Sequence, residues 1–367
     1  MRGLTILAAL LAVVASGSAA AAPAVRHVFI LMLENQSFHV TFGKNSPAPY
    51  LGNTLPAQGA LLKQYYGTGH FSLDNYLTLI SGQAPNPETQ ADCPIVSEFR
   101  LEQPDLDANG QALGIGCLYP PMVKTVADQL EAAKLTWRGY MEDMGNDPTR
   151  ESATCGHMPP GAAERTGRAT VKDKYAAKHN PFVYFHGIID DQARCDAHVV
   201  NLDRLPADLA SLKTTPNYVF ITPNLCNDGH DAHCVDGGPG GFQAIDAFLQ
   251  KWVPLITGSA AFKKDGLLII TFDESDLSGA DGSAACCGEQ GLPGAPQQAG
   301  MNGPGGGLIG AVLLSPFIKP GTVSSEPYNH YSTLRYVEDT FKLPHLGYAG
   351  QPGLKVFGPD VFTRTAP

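Results

Sequence analysis

The sequence RHVFILMLENQSF occupies residues 26–38 and contains an unbroken apolar run, Val28–Leu33, that stops abruptly at Glu34 and Asn35. A run without polar alternation is typical of a strand that is buried on both faces of a parallel sheet. Ligands of open α/β sheets bind beyond the carboxyl ends of the strands, where these two side chains would lie. Their oxygens suit a divalent metal ion, although a turn and a helix cap explain one such pair more simply.

Further apolar segments alternate with segments of helical spacing. We predict strands at residues 135–141, 218–222, 267–272 and 308–314, and helices at residues 123–134, 242–256 and 331–341. In the first of these helices, the apolar residues follow the i, i+3, i+4, i+7 spacing of one helix face: Val123, Val126, Ala127 and Leu130. Strands that alternate with helices predict the α/β class, with a three-layer α/β/α sandwich around a mostly parallel central sheet.

The composition is that of a globular enzyme-sized chain. Of its 367 residues 43% are hydrophobic and 16% are charged, so a sizeable core is available. This length would allow two average domains, but single α/β domains of this size are common, and we expect one domain over residues 25–367. The net charge of −10 and the lack of a Lys/Arg cluster argue against a nucleic-acid partner. An acidic protein that acts on phosphates needs local cations, histidines or a metal ion, to offset its overall repulsion. We expect a monomer.

The N-terminal residues 1–22 have the pattern of a signal peptide. Arg2 precedes the apolar run Leu4–Ala15, and small residues follow as far as Ala24. The apolar run is short for a bilayer span, and no second hydrophobic span follows. We therefore expect a secreted or periplasmic protein without stable membrane insertion.

Eight cysteines also fit an oxidising compartment. Their spacings differ from those of zinc fingers, so disulfides are the better interpretation. Connectivity is not fixed by sequence. The working hypothesis is four local pairs, at positions 93–117, 155–195, 226–234 and the vicinal 286–287.

Residues 278–307 differ from the rest of the chain, because Gly, Ala, Pro and Gln dominate and no periodic apolar pattern is present. The segment begins soon after Asp273 and Glu274, so it is interpreted as a long loop near the site that could serve as a lid over it. A surface insertion without a role is an equally good interpretation of the sequence.

A second polar cluster, GHFSLDNYLTLISG at residues 69–82, places a hydroxyl at the start of a helix. Leu73, Tyr76 and Ile80 share one helix face, so Ser72 lies at the N-terminus. There it is either an N-cap or a nucleophile, because the positive end of the helix stabilises a phosphoryl group or an alkoxide. The cap is the more common role of an isolated serine before a helix, and His70, two residues away, makes the second interpretation less remote.

Two further strands end in clusters of polar residues. The strand at 218–222 is followed by Asn224, Asn227, Asp228, His230 and Asp231, which is more than a turn requires.

The strand at 267–272 is followed directly by Asp273 and Glu274. Two acidic pairs at the ends of two core strands, here and at Glu34, would repel each other unless a cation lay between them. The two strands could also lie far apart in the sheet. His330, which precedes the last predicted helix, is a candidate for phosphate contact or proton transfer, or a structural histidine.

Taken together, these motifs resemble the bacterial phosphoesterase family of acid phosphatases and phospholipases C, which belongs to the alkaline phosphatase superfamily. The resemblance runs from about residue 26 to 343 and rests on ENQSF with Phe42-Gly43, HFSLDNYLTLISG, PNLCNDGHD and LLIITFDESD. NPFVYF at 180–185 is most similar to secreted acid phosphatases, a group that includes phosphatidylinositol 3-phosphate phosphatases. The resemblance implies an alkaline phosphatase-like α/β/α sandwich.

The resemblance also implies a role for each matching residue. Ser72 corresponds to the nucleophile, three residues before Asn75, and the divalent metal ligands correspond to Glu34, Asn35, Asp273 and Glu274. Phosphoryl contact or proton transfer falls to His70, His230 and His330, and substrate binding to Asn75, Asp228 and Asp231. The usual E-N-R-S-F-D pattern is altered, since Gln36 replaces Arg and His39 replaces Asp, which removes a cation from the first loop.

The implied function is a secreted, metal-dependent phosphomonoesterase that acts on phosphate monoesters or phosphoinositides through a phosphoserine intermediate. Ser37 is an alternative nucleophile, although the superfamily pattern favours Ser72. A phospholipase C-type phosphodiesterase is the alternative activity; such enzymes often carry an additional C-terminal domain, which we do not expect after the last predicted helix. A non-catalytic metal- or phosphate-binding protein is a third interpretation, which a retained hydroxyl at Ser72 disfavours.

Overall fold

The computed structural model describes residues 25–277 and 282–364. The predicted signal peptide lies outside these residues, as do the first four residues of the Gly-rich segment, 278–281. None of the helices in the two described ranges has the length and apolar character that a bilayer span needs.

The described residues form a mixed, mostly parallel sheet and two small two-stranded sheets. The strands are β1 His27–Leu33, β2 Ala60–Leu62, β3 Tyr65–Tyr66, β4 Arg100–Leu101, β5 Gly114–Ile115, β6 Trp137–Met141, β7 Val199–Asn201, β8 Tyr218–Thr222, β9 Gly266–Phe272, β10 Ala311–Leu314, β11 Thr322–Ser324 and β12 Tyr328–Asn329. The large sheet has the order β11-β2-β10-β9-β1-β8-β6-β7. The five strands from β9 to β7 are parallel, while β10 is antiparallel to both of its neighbours.

Helices flank this sheet and complete the predicted α/β/α sandwich. They are α1 Phe38–Thr41, α2 Leu55–Gln58, α3 Ser72–Ser81, α4 Val126–Ala132, α5 His186–Ile189, α6 Gln192–His198, α7 Leu205–Asp208, α8 Gly241–Gly258, α9 Ala260–Asp265 and α10 His330–Phe341. Helix α3 packs against α4 and α10, whereas α8 packs against α9. All seven residues of β1 and of β9 are buried, which confirms the interpretation of their unbroken apolar runs.

The predicted elements are present, with shifted boundaries that have local causes. The helix predicted from residue 123 begins at Val126, because Thr125 and Asp128 form a capping box that fixes its first turn. The strand predicted from residue 308 begins at Ala311. Before it, the backbone N–H groups of Ile309 and Gly310 both donate to the Tyr65 carbonyl, so this stretch pairs with β3 instead of the large sheet.

All eight cysteines form the four hypothesised disulfides, Cys93–Cys117, Cys155–Cys195, Cys226–Cys234 and Cys286–Cys287. All four bonds lie in connections between strands of the large sheet, and of the eight cysteines only Cys195, in α6, belongs to a helix or strand.

The described part of the Gly-rich segment, residues 282–307, is anchored next to β3 and α3. The His70 N–H donates to the Ala299 carbonyl at 3.1 Å, and the Gly67 N–H donates to the Gly307 carbonyl at 3.0 Å. Gln90 donates from its amide to the Gln298 and Ala299 carbonyls. These contacts place the described part of the segment beside the Ser72 region.

Candidate active site

The register of two neighbouring parallel strands brings the first two acidic clusters together. Strand β1 pairs with β9 so that Leu33 lies opposite Phe272, and both strands end there. The Asp273 N–H donates to the Leu33 carbonyl at 2.9 Å, and the Asn35 N–H donates to Asp273 Oδ1 at 2.9 Å. Glu34 and Asp273 therefore occupy one edge of the sheet, and the interpretation that the two strands lie far apart is excluded.

Strand β8, on the other side of β1, supplies a third carboxylate. The loop after β8 carries Asp228, whose carbonyl accepts a 2.9 Å hydrogen bond from the Glu34 N–H. The sequence had suggested Asp228 as a substrate-binding residue. Its buried position beside Glu34 also makes it a candidate metal ligand.

His179 joins these carboxylates and was not among the residues predicted from sequence. Its Nε2 lies 3.2 Å from Glu34 Oε1 and its Nδ1 lies 3.1 Å from Asp228 Oδ2. The ring stacks on Tyr76 with 5.2 Å between ring centroids, which fixes its plane. Ligand atoms of Glu34, His179 and Asp228 all lie within 4.8 Å of one another. The one sequence signal was its place directly before the NPFVYF motif.

The electrostatics of this group favour a bound cation. Burial raises the pKa of Glu34 well above its ordinary value, and the charges of Asp273 and Asp228 raise it further. Burial likewise raises the pKa of Asp228 and of Asp273. Burial, followed by the charge of Lys178, holds the pKa of His179 well below its ordinary value, so its imidazole is neutral.

The donor set fits a divalent metal ion. Three buried carboxylates and one neutral imidazole are ligands that such ions use, and a cation would offset the mutual repulsion of the carboxylates. Asp273 Oδ2 is buried and has no hydrogen-bond partner among the described residues, as expected of an oxygen that serves as a ligand. Residues Glu34, Asp228, Asp273 and His179 would therefore hold the metal.

Two of the ligands predicted from sequence have other contacts. The Asn35 side-chain amide donates to Glu34 Oε2 at 2.6 Å, so Asn35 orients a candidate ligand. The Glu274 carboxylate is in close contact with His70 Nδ1. His70 Nε2 in turn lies 3.1 Å from the Gly282 carbonyl, in the Gly-rich segment. The structure thus brings Glu274 and His70 together as a buried pair beside the candidate metal ligands.

Ser72 is the first residue of α3, and its hydroxyl points at the acidic group. Ser72 Oγ donates to Glu34 Oε2 at 2.9 Å and is buried. Phe71 is the N-cap of α3, so the hydroxyl does not have the capping role that sequence left open. That role is taken in part by Asp92, whose Oδ1 accepts from the Leu73 N–H at 3.0 Å. The Ser72 hydroxyl therefore has no capping role and lies beside a candidate metal ligand.

Ser37, the alternative nucleophile, occupies a different position. It precedes α1, and its carbonyl accepts hydrogen bonds from the Thr41 hydroxyl and N–H. Its own buried Oγ has no hydrogen-bond partner among the described residues. The contact with the Glu34 carboxylate belongs to Ser72, which favours Ser72 as the nucleophile.

The remaining histidines differ in their access to substrate. Both ring nitrogens of His330 are engaged: Nε2–H donates to the Asp273 carbonyl at 2.6 Å and Nδ1 lies 3.2 Å from the Tyr65 hydroxyl. Burial lowers the pKa of His330 to about 4. His230 lies at the rim, where Nδ1 contacts Asp231 Oδ1 at 2.9 Å. His330 therefore positions the Asp273 backbone, whereas His230 is accessible to a substrate.

Asn75 supports the loop that leads into α3. Its Oδ1 accepts from the N–H groups of Thr68 and Gly69 at 2.8 and 3.0 Å, and its amide donates to the carbonyls of Gly69 and Phe71. The side chain predicted to bind substrate thus holds the backbone that presents Ser72.

A buried lysine supplies the local cation that the acidic chain needs. Lys178 Nζ donates to Asp92 Oδ2 at 2.9 Å and lies 3.5 Å from His230 Nε2. Burial alone would lower the pKa of Lys178, but the charges of Asp92 and Glu34 raise it above its ordinary value, so the ammonium is charged. Sequence reasoning did not identify Lys178, because a single lysine in a loop has no distinguishing pattern.

The model of the phosphoesterase family matches residues 47–344, most of the chain. The chain belongs to the phosphoesterase family. It is 26% identical over 332 residues to a probable acid phosphatase of Kluyveromyces lactis, with 88% of the chain but only 60% of that relative's length aligned. It is also 26% identical over 332 residues to a phosphatidylinositol-3-phosphatase of Mycobacterium tuberculosis, with 90% of the chain and 82% of the relative aligned.

The fold of the chain is similar to that of a solved alkaline phosphatase superfamily protein from Vibrio parahaemolyticus. The TM-score is 0.50 at 12% identity, over 92% of this chain and 72% of the other. The likeness confirms the alkaline phosphatase-like fold that the sequence motifs implied.

Proposed function

We propose that this phosphoesterase is an exported, metal-dependent phosphomonoesterase in which Ser72 is the nucleophile. The observation that carries the proposal is the 2.9 Å hydrogen bond from Ser72 Oγ to Glu34, a member of the buried group that fits a divalent metal. Acid phosphatase relatives and the phosphatidylinositol-3-phosphatase relative support phosphate monoesters, including phosphoinositides, as the substrate class. Four disulfides support export.

When bound, the metal would lower the pKa of the serine hydroxyl and neutralise charge on the phosphoryl oxygens. Ser72 Oγ attacks phosphorus as its proton passes towards Glu34 Oε2, the acceptor of its hydrogen bond. The O–P bond of the ester breaks, leaving a phosphoserine and an alcohol. Asp92 connects the Lys178 ammonium to the N-terminus of α3, and the positive charge of these two groups would offset that of the transferred phosphoryl group.

His230 is the candidate that protonates the leaving alcohol and then helps a water molecule to hydrolyse the phosphoserine. It is partly exposed at the rim and lies beside Lys178, whereas His330 is buried with both ring nitrogens engaged. His70 and Glu274 hold the Gly-rich segment against the site.

The direct test compares hydrolysis of p-nitrophenyl phosphate by the wild type and by Ser72→Ala. We expect loss of turnover by several orders of magnitude, because the nucleophile is removed, with an unchanged unfolding temperature. Ser37→Ala is the matched control and should retain turnover. Full activity of Ser72→Ala would refute the assignment of Ser72 as the nucleophile. Preferential cleavage of bis(p-nitrophenyl) phosphate by the wild type would indicate a phosphodiesterase instead.

A further inference from the structure

A cavity of about 330 Å³ opens beside the candidate active site and is lined by basic side chains. Its volume falls at the lower end of the roughly 300–1,000 Å³ typical of small-molecule sites. Its charged lining residues are Arg165, Arg168, Lys178, Asp92 and Glu164. None of the roles derived for phosphoryl transfer uses the two arginines.

One residue that lines the cavity also contacts the first turn of α3, the helix that carries Ser72. Asp92, which lines it, accepts from the N–H of Leu73, the residue after Ser72. Lys178, a second lining residue, immediately precedes His179 and contacts the His230 ring. The cavity therefore shares Asp92 and Lys178 with the surroundings of Ser72 and His230.

The cationic groups of the cavity exceed the acidic groups that could neutralise them. Asp92 is already engaged by the Leu73 N–H and the Lys178 ammonium. Oε1 of the Glu164 carboxylate accepts from the N–H and the hydroxyl of Thr166, and its Oε2 is buried without a hydrogen-bond partner among the described residues.

Neither arginine takes part in an ion pair with the described residues, and both are exposed. Only the backbone carbonyl of Arg168 is engaged, as the acceptor of a hydrogen bond from Arg150, so replacing the side chain leaves that contact in place. Two unpaired guanidinium groups beside a buried ammonium suit a phosphate, which arginine binds through two parallel hydrogen bonds.

We propose that this cavity binds a second phosphate group of the substrate, so that Arg165 and Arg168 select esters that carry two phosphates over those that carry one. The inference rests on the proposed phosphomonoesterase function and adds a substrate class to it. In a chain with a net charge of −10, a local cationic cavity is also what draws a polyanion to the site.

The test measures kcat/KM for a hexose bisphosphate and for the matching hexose monophosphate, in the wild type and in Arg165→Gln/Arg168→Gln. We expect the ratio of the two constants to fall by roughly tenfold or more in the variant, since charge-assisted hydrogen bonds are lost. Hydrolysis of p-nitrophenyl phosphate, which has no second phosphate, should be unchanged. Arg100→Gln removes an exposed arginine elsewhere and is the matched control.

An unchanged ratio in the double variant would overturn the proposal, as would an equal loss in Arg100→Gln. A binding measurement separates this failure from failure of the proposed function. Calorimetric titration with methylenediphosphonate needs no turnover, and we expect a weaker Kd in the double variant than in the wild type. Equal Kd values for the wild type and the double variant would refute phosphate binding in the cavity, whether or not the protein hydrolyses phosphate esters. Failure of the wild type to hydrolyse any phosphate ester would instead refute the proposed function.

Discussion

The Glu34 carboxylate receives three side-chain hydrogen bonds, and two of them come from successive turns of α3. Ser72 donates to Oε2 at 2.9 Å and Tyr76 donates to Oε1 at 2.6 Å, while the Asn35 amide also donates to Oε2. One helix thus carries both the proposed nucleophile and a group that fixes the orientation of a candidate metal ligand. Residues outside direct contact with a metal commonly tune it in this way.

Removal of the Tyr76 hydroxyl tests this orientation. In Tyr76→Phe, Glu34 loses a charge-assisted hydrogen bond, and we expect kcat/KM to fall by roughly tenfold or more. Tyr218→Phe is a matched control, because that buried hydroxyl has no hydrogen-bond partner among the described residues. Equal activity of the two variants would show that Tyr76 does not position Glu34.

The role of His179 is tested through metal affinity. His179→Ala removes the only imidazole that lies between the Glu34 and Asp228 carboxylates in the described structure, and we expect metal to dissociate at least roughly tenfold more readily. The measurement is metal content after dialysis against a series of chelator concentrations. His345→Ala, which removes a partly exposed histidine paired with Asp339, should behave as the wild type. Identical retention by both variants would exclude His179 as a ligand.

Sequence identified some of these residues and missed others for a physical reason. Glu34, Asp273 and Ser72 directly follow a buried strand or begin a helix, so local patterning marks them. His179 and Lys178 reach the site from a long connection, and only the tertiary fold brings them there. Asn75 shows the converse limit, since its motif position was clear but its contacts with loop backbone were not visible in sequence.

Helix α10 carries a buried carboxyl group that makes the stability of the fold depend on pH. Glu338 accepts from the Leu346 N–H at 2.8 Å, and burial raises the pKa of Glu338 to about 8. In the unfolded chain this carboxyl would ionise near its ordinary value of 4.5. Its contribution to stability is therefore complete below that value and is lost as pH rises towards 8, because the unfolded state binds fewer protons in this window.

Glu338→Gln should accordingly flatten the dependence of the free energy of unfolding on pH. Between pH 5 and 8.5 we expect the wild type to lose on the order of 1–3 kcal/mol more than the variant, measured by denaturant unfolding. Glu326→Gln removes an exposed carboxylate that pairs with Lys355 and should leave the slope unchanged. Parallel pH profiles for the wild type and Glu338→Gln would contradict this account.

The strand order of the large sheet explains why three candidate metal ligands lie at one edge of it. The adjacent strands β9, β1 and β8 are parallel, so the residues after them, Asp273, Glu34 and Asp228, meet at the same edge. Apolar patterning predicted each of these strands but not their adjacency, which depends on long-range pairing. The reversal of β10 and the insertion of the short β2 beside it were likewise invisible in local pattern.

If Ser72 is the covalent nucleophile for phosphoryl transfer, as we propose, a phosphoserine forms at this position during turnover. The most direct measurement is mass-spectrometric mapping of the protein after it is mixed with a phosphate monoester and quenched rapidly in acid. We expect a phosphoryl group on the peptide that contains Ser72, present in the wild type and absent in Ser72→Ala. Turnover of the ester without phosphorylation at Ser72, or phosphorylation at Ser37 instead, would contradict it.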